Sequence, residues 1–340
     1  MSEGAGRLCL VGCGSIGRIH VRAVQGLEHR VDYVACFDAE AGRATAFAAA
    51  HAPRARVPAR WEEVLADPAI DGVDLCLPHS QHVALAMEAL TAGKHVFLEK
   101  PMALTVADCD RIIAAARANQ RQLSVMHNRR FNPAALAIKK LLDGGNLGDP
   151  IAVTGHGIEG PNTIGVRGWL RQAGEGGVGM AQTVHFAYML RWLFGDVTEV
   201  SCFTSRKGIP WMEGQVTAAF LLRFASGALG QLTSTFAQEA GTNEHRITLY
   251  GGSGQATLVA NRADILSPAH YGDSDWHVEQ FPSAYGSDFA EPLASFGDAI
   301  RGRGQPAVSA EEGRAAVALI EAAYRSASEG RTITLNGVLN

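Results

Sequence analysis

The residues best placed to do chemistry gather in two short stretches. The first is Gly12-Cys13-Gly14-Ser15-Ile16-Gly17, which follows an apolar run at residues 8–11 and leads into a helical pattern. Glycines at this spacing allow a tight turn, a close approach of backbone N–H groups to a pyrophosphate, and close packing of the next helix on its strand. Ser15 and Ile16 would add N–H groups at the helix N-terminus, where the dipole favours an anion. Asp38 ends the following strand, 21 residues past Gly17 (38 − 17). A carboxylate there accepts ribose hydroxyls and repels a 2′-phosphate, so NAD is expected over NADP, with Arg43 near enough to weaken the preference. The second stretch is Glu99-Lys100-Pro101, at the end of the apolar run 95–98. An ammonium just past a parallel strand's carboxyl end can hydrogen-bond a substrate oxygen and offset alkoxide charge. Lysine is scarce here, with only Lys94, Lys100, Lys139, Lys140 and Lys207 among thirty basic residues, so its position in this motif stands out.

The elements that must position these groups alternate. Strand-like runs at 8–11, 31–37, 73–77, 95–98 and 123–127 are separated by helical patterns at 16–27, 40–50, 61–65, 82–91 and 106–119. Strands apolar throughout suit a sheet covered on both faces, hence a parallel, doubly wound α/β domain over residues 1–127. After His127 the pattern changes. Asn132-Pro133 opens a helix that stops at Gly144-Gly145. β-like runs then follow at 151–156, 197–205, 216–224, 228–236, 246–250, 255–260 and 277–281, interrupted by a helix at 180–193. Helices near 289–301 and 309–328 close the chain, the second opening on a capping box, Ser309-Ala-Glu-Glu312. Residues 128–340 therefore read as an α+β domain built on a mostly antiparallel open sheet, with an apolar face that needs covering.

Composition removes several classes. The 340 residues carry a net charge of −4, with no block of like charge to serve nucleic acid and no apolar run of membrane-spanning length. The first residues lack the basic and apolar regions of a signal peptide, and a cytoplasmic protein is expected. The six cysteines form no CxxC pair, and four sit in apolar runs as small core residues. No metal site is expected: the spacing in His270-Tyr-Gly-Asp273-Ser-Asp275-Trp-His277 fits no familiar zinc or calcium pattern and reads as a polar loop. Glu244-His245 reads as a strand-edge dipeptide.

Taken together, the glycine-rich start and Gly93-Lys-His-Val-Phe-Leu-Glu99-Lys100-Pro101 closely resemble the Gfo/Idh/MocA family of NAD(P)-dependent oxidoreductases. Further matches are Pro78-His-Ser-Gln-His82, Asn128-Arg-Arg-Phe-Asn-Pro133, Gly176-Gly177 leading to His185, Tyr250-Gly-Gly-Ser-Gly254, and Ala323-Tyr-Arg-Ser-Ala327. The resemblance implies an NAD-binding Rossmann domain followed by a substrate-binding and oligomerisation domain. It also implies a dehydrogenase or reductase acting on CH–OH groups, and a homodimer or homotetramer assembled through the C-terminal sheet. Lys100 and His185 take the catalytic positions, and Pro78, His82, Glu99 and Lys100 join the cofactor set. A near-neutral imidazole suits His185 to proton exchange.

In one place the chain departs from the family's pattern. Its dehydrogenases commonly carry Asp four residues before the histidine, and this chain has Ala181. On an ideal helix Gln182 and Thr183 point elsewhere and do not replace it. On the substrate side, Arg167 and Arg171 could bind a carboxylate and Trp169 could stack on a ring; Asn128, Arg130 and His156 are further candidates. The leading expectation is interconversion of a secondary alcohol and a ketone on a carbohydrate-like or cyclic, possibly carboxylated, small molecule. The alternatives are a lyase, isomerase or glycosidase of the same fold that uses NAD transiently, and a non-catalytic NAD-responsive regulator.

Overall fold

Short apolar strands and the helices between them build a parallel sheet in the computed structural model, which describes residues 4–161, 168–238, 243–282, 284 and 286–335. The strands are β1 (Gly6–Val11), β2 (Val31–Phe37), β3 (Gly72–Leu75), β4 (His95–Leu98) and β5 (Leu123–Val125). They pair in the order β2-β1-β3-β4-β5, all parallel. The connections carry α1 (Ser15–Ala23), α2 (Ala41–His51), α3 (Trp61–Ala66), α4 (His79–Thr91) and α5 (Val106–Ala118). β3 is buried at all four positions, Asp74 included, as suits a strand covered on both faces. Strand order reverses between β1 and β3, and ligands of such sheets bind outside the strands' carboxyl ends at that switch point.

The second sheet follows from alternation. Asn132 caps α6 (Pro133–Asp143) by accepting from the N–H groups of Ala134 and Ala135, with proline in the first turn. Then come β6 (Pro150–Ile158), α7 (Val184–Phe194), β7 (Val197–Ser205), β8 (Thr217–Phe224), β9 (Leu229–Thr235), β10 (Glu244–Gly251), β11 (Gln255–Val259), β12 (Arg262–Leu266), α8 (Pro268–Tyr271) and β13 (His277–Gln280). After α9 (Ala290–Ile300) and α10 (Ala310–Glu329) the short β14 (Ile333–Thr334) completes nine strands in the order β13-β12-β11-β10-β6-β9-β8-β7-β14. Among the described strands of this sheet, only β6 and β9 pair in parallel; the other neighbours are antiparallel. In β8, Ala218, Phe220, Leu222 and Phe224 are buried while the residues between them are exposed. Burying each large side chain of that row contributes about 1.5–3 kcal/mol. Phe203, Leu221 and Leu229 occupy the other face, at 81%, 62% and 52% exposure.

β12 and β14 escape the sequence pattern. In β12 Arg262 and Asp264 pair with each other on one face while Ala263 and Ile265 are buried on the other, and five residues are too few to expose that period. At the start of α10 Ser309 and Glu312 form the reciprocal cap, with the Glu312 N–H on Ser309 at 3.1 Å and the Ser309 N–H on Glu312 at 2.8 Å.

The chain divides into two compact units, Met1–Asn128 with Ala284–Arg314, and Arg129–Ser283 with Ala315–Asn340. A single boundary after residue 127 does not describe this division. The chain returns to the first unit with α9, which packs on β1 and β2, its Phe296 ring 5.2 Å from that of Phe97. Arg30, just before β2, binds Glu291 and Asp298 of the returning segment. An amphipathic helix carries no mark of which sheet it will cover, so sequence order alone hides this return.

Candidate active site

Gly12 sits between β1 and α1 with φ +98°, and a Cβ there would lie 2.3 Å from the Cys76 carbonyl oxygen. The turn thus presses against the chain leaving β3, at the point where strand order reverses. A Cβ on Gly17 would meet the Gly12 carbonyl at 2.6 Å, so only glycine lets α1 lie this close to its strand. Gly14 and Ser15 are exposed, Ile16 is half-buried, and no side chain caps the helix N-terminus. Its N–H groups are therefore presented to an anion, and the residues fit a dinucleotide's pyrophosphate. Asp38 accepts from the backbone N–H of Cys13 and of Glu40, both at 2.9 Å. Those contacts hold its carboxylate beside the glycine turn. Arg43 reaches to 3.6 Å from it and also pairs with Glu40.

Pro78 caps α4, and His82 follows on that helix. The His82 ring is fully buried and lies 2.8 Å from the Pro101 carbonyl and 3.1 Å from that of Leu77. With its ring nitrogens close to these two backbone carbonyls, His82 ties the segment after β3 to the one after β4. The Lys100–Pro101 peptide is cis. Glu99 is likewise turned inward, its Oε1 on His20 Nε2 at 3.0 Å and its Oε2 on the Lys100 N–H at 3.0 Å. Burial raises the Glu99 carboxyl, but His20 and Lys100 outweigh it and hold the group below the usual carboxylate range.

His20 Nδ1 meets Asp74 Oδ2 at 2.8 Å, and the Tyr33 hydroxyl donates to the same oxygen. Cys76 Sγ lies 3.5 Å from Nδ1. His20, Asp74 and Cys76 thus bring three donor atoms within 4.8 Å of one another. Burial pushes the Cys76 thiol up.

In the second unit His185 begins the second turn of a helical segment whose first turn is a π-turn, Gly179–Thr183. The Gly179 N–H is drawn to the Tyr324 hydroxyl at 2.8 Å, and that hydroxyl donates to the Gly176 carbonyl at 2.7 Å. The motifs around Gly176 and Tyr324 thus meet at the start of the π-turn. Ala181 and His185 are both half-buried. Gln182 is buried against the sheet, where its amide nitrogen lies 3.1 Å from His245 Nε2. Glu159 Oε1 lies 2.7 Å from that same Nε2. Burial raises Glu159, but His245, Arg129 and Gln182 bring it below its ordinary range. Burial and the Arg129 charge lower His245 against the pull of Glu159. Arg129 itself stands over the Phe186 ring, 5.3 Å from its centre.

Sequence reasoning passed over Glu159 and His245, and strand parity is the signal that finds them. Gly157 pairs with His245 on the face packed by Phe186 and Gln182. His156 has the opposite parity, pairs with Arg246 and approaches Glu244 at 3.8 Å. It is not brought together with the α7 face. Asn128 donates to Asp288 at 2.6 Å, and Arg130 stacks over Phe131 and Tyr188, so both are engaged within the protein. Trp169 is half-buried and Arg171 exposed on a short 3-10 turn. Arg167 lies outside the described residues. At the start of β13, His277 bonds Asp273 of the preceding loop at 2.8 Å and stacks on Tyr271.

Comparison with known proteins matches residues 7–127 to the Gfo/Idh/MocA oxidoreductase family, NAD-binding Rossmann fold, and residues 139–335 to its C-terminal alpha/beta domain. The chain belongs to this family. It is an NAD-dependent oxidoreductase of the dehydrogenase type. The inositol 2-dehydrogenase of Rhizobium meliloti is 29% identical over 97% of this chain and 99% of its own. The myo-inositol 2-dehydrogenase of Thermotoga maritima is 28% identical over 98% and 99%. The WlbA dehydrogenase of Bordetella pertussis, solved with NADH and UDP-GlcNAcA, superposes with a TM-score of 0.86 at 26% identity, covering 98% of this chain and 99% of that one. Among the described residues no helix is long and apolar enough to cross a membrane.

Proposed function

We propose that this oxidoreductase interconverts a secondary alcohol and a ketone on a polyhydroxylated, carbohydrate-like or cyclic small molecule. The observation that carries the reading is Lys100, placed just past β4 at the carboxyl end of a parallel sheet and anchored through Glu99. The glycine turn and Asp38 would hold NAD, which supplies the hydride acceptor when bound. Lys100 would hydrogen-bond the reacting oxygen and offset its developing negative charge. His185 would exchange the hydroxyl proton. Relatives named as inositol 2-dehydrogenases and a neighbour holding a nucleotide sugar support a substrate rich in hydroxyls.

Ala181 can neither orient a hydroxyl nor relay a proton. We assign that work to Glu159, His245 and Gln182, three polar groups clustered on the α7 side of the sheet. Trp169 and Arg171 remain candidates for a ring and a carboxylate on the substrate. The apolar open face bearing Phe203, Leu221 and Leu229 supports assembly into a homodimer or homotetramer. Light scattering on the purified chain checks it, and a monomeric mass at micromolar concentration would exclude it.

The deciding experiment is a screen of inositols, sugars and sugar acids with NAD, read at 340 nm. Net NADH formation with at least one polyol or sugar is expected. Turnover of substrate without net NADH would instead assign a reaction that uses NAD transiently.

A further inference from the structure

His20 is a fully buried titratable side chain that the proposed reaction leaves without a task. It lies on α1, one turn beyond Gly17, and each ring nitrogen faces a carboxylate: Nδ1 to Asp74 at 2.8 Å and Nε2 to Glu99 at 3.0 Å. A neutral imidazole has one N–H donor, and an ionised carboxylate can only accept. Both carboxylates already accept from other donors, Asp74 from the Tyr33 hydroxyl and Glu99 from the Lys100 N–H. The two contacts to His20 therefore require a proton on each ring nitrogen. Among the groups around it, Cys76 and Tyr33 are held protonated by burial, so neither supplies a competing charge. The Phe97 and Phe289 rings pack against the imidazole and shut out water. Charge then alternates along a line: Asp74 negative, His20 positive, Glu99 negative, Lys100 positive.

We propose that His20 is an imidazolium clamp, a positioning residue that ties the cofactor-binding helix α1 to the Glu99-Lys100-Pro101 segment and so fixes where Lys100 is presented. The proposal rests on the reading of Lys100 as a catalytic group. It explains a side chain with no access to substrate: α1 carries the dinucleotide turn at one end and grips Glu99 a turn later. Without the ring's positive charge two buried carboxylates would face each other, and Glu99 would lose its anchor. Burial opposes the charged ring, but the Asp74 carboxylate outweighs it and raises His20 well above the ordinary histidine range.

The test has two arms on the full chain with NAD bound. In protein labelled with nitrogen-15 at histidine, proton–nitrogen correlation spectra are recorded from pH 6 to 9, with His20 assigned by its loss in His20→Gln. Two protonated ring nitrogens persisting above pH 8 are expected; a neutral tautomer at pH 7.5 would overturn the clamp. The second arm compares His20→Gln and Glu99→Gln by NADH fluorescence titration and by turnover of the best substrate from the screen. Each substitution should lower kcat about 10–100-fold, with NADH affinity within about threefold of wild type. The double variant should be little worse than either single one, because both break the same link. Wild-type kcat in both variants would overturn the positioning role. If His20→Gln fails to fold, assignment passes to Cys76→Ser, which shifts the ring signals through the 3.5 Å contact, and Glu99→Gln carries the kinetics. The spectra need no substrate. A chain that turns over nothing in the screen would count against the reaction, while the spectra still decide the state of His20.

Discussion

Each unit holds a histidine against a carboxylate, and the two histidines are pushed in opposite directions. His20 in the first unit is raised well above its ordinary range, while His245 in the second is lowered. Burial lowers both, so it is not the difference. Two carboxylates contact His20, whereas one contacts His245 and the Arg129 charge opposes it. The count and sign of neighbouring charges therefore decide protonation here, and protonation decides what each ring can do. A doubly protonated ring can only donate, which suits a fixed clamp. A neutral ring keeps one nitrogen lone pair, which suits proton exchange with a substrate hydroxyl.

The largest effects should come from the two groups proposed to be catalytic. Lys100→Ala and His185→Ala are each expected to reduce turnover at least about 100-fold, the size of an acid–base contribution. Steady-state kinetics on the screened substrate checks this, and near-wild-type turnover in either variant removes that residue from its role.

The next effect sharpens the contrast between the two histidine clusters. Glu159→Gln should cost about 10–100-fold in kcat/KM, because it removes the charge that orients His245, and NADH affinity should stay within about threefold. Equal loss of NADH affinity would make Glu159 a structural group.

Stability against pH should then separate the histidines by sign. His20 has a raised folded-state pKa, so its contribution is complete below about pH 6.5 and is lost as pH rises through the folded value. His245 has a lowered one, so its contribution is present above about pH 6.5 and is lost as pH falls through the folded value. Denaturant titrations of His20→Gln and His245→Gln against wild type should show gaps that close at alkaline and at acid pH respectively. The His20 gap should be the larger at neutral pH, about 3–5 kcal/mol, since the substitution strands buried carboxylates. Gaps that close in the same direction would break the comparison.

The smallest effect concerns the cofactor. Wild type should bind NADPH at least about tenfold more weakly than NADH, roughly 1.4 kcal/mol, and Asp38→Ala should narrow that ratio. An unchanged ratio would show that Asp38 does not set the preference.

Much of this was legible from residue order because the signals are local. Gly12, Gly14 and Gly17 meet their geometric demands within one turn, and Asn132 and Ser309 cap the helices they open. Period and turn residues also place most strands within a residue or two. The contact at the π-turn before His185 was not legible, since Tyr324, which meets Gly179 there, lies far along the chain. That turn and strand parity bring Gln182 to the sheet, where an ideal helix would not have sent it.

What the sequence determined by itself was the kind of chemistry: a dinucleotide turn, an acidic residue for the ribose, and one of five lysines at a strand end. Tertiary structure decided the protonation and partners of the histidines. His20 is clamped by groups 54 and 79 residues away, and His245 by one 86 residues away. Electrostatic environment is a sum over neighbours in space. Neighbours that distant in the chain leave no local period, cap or motif to read.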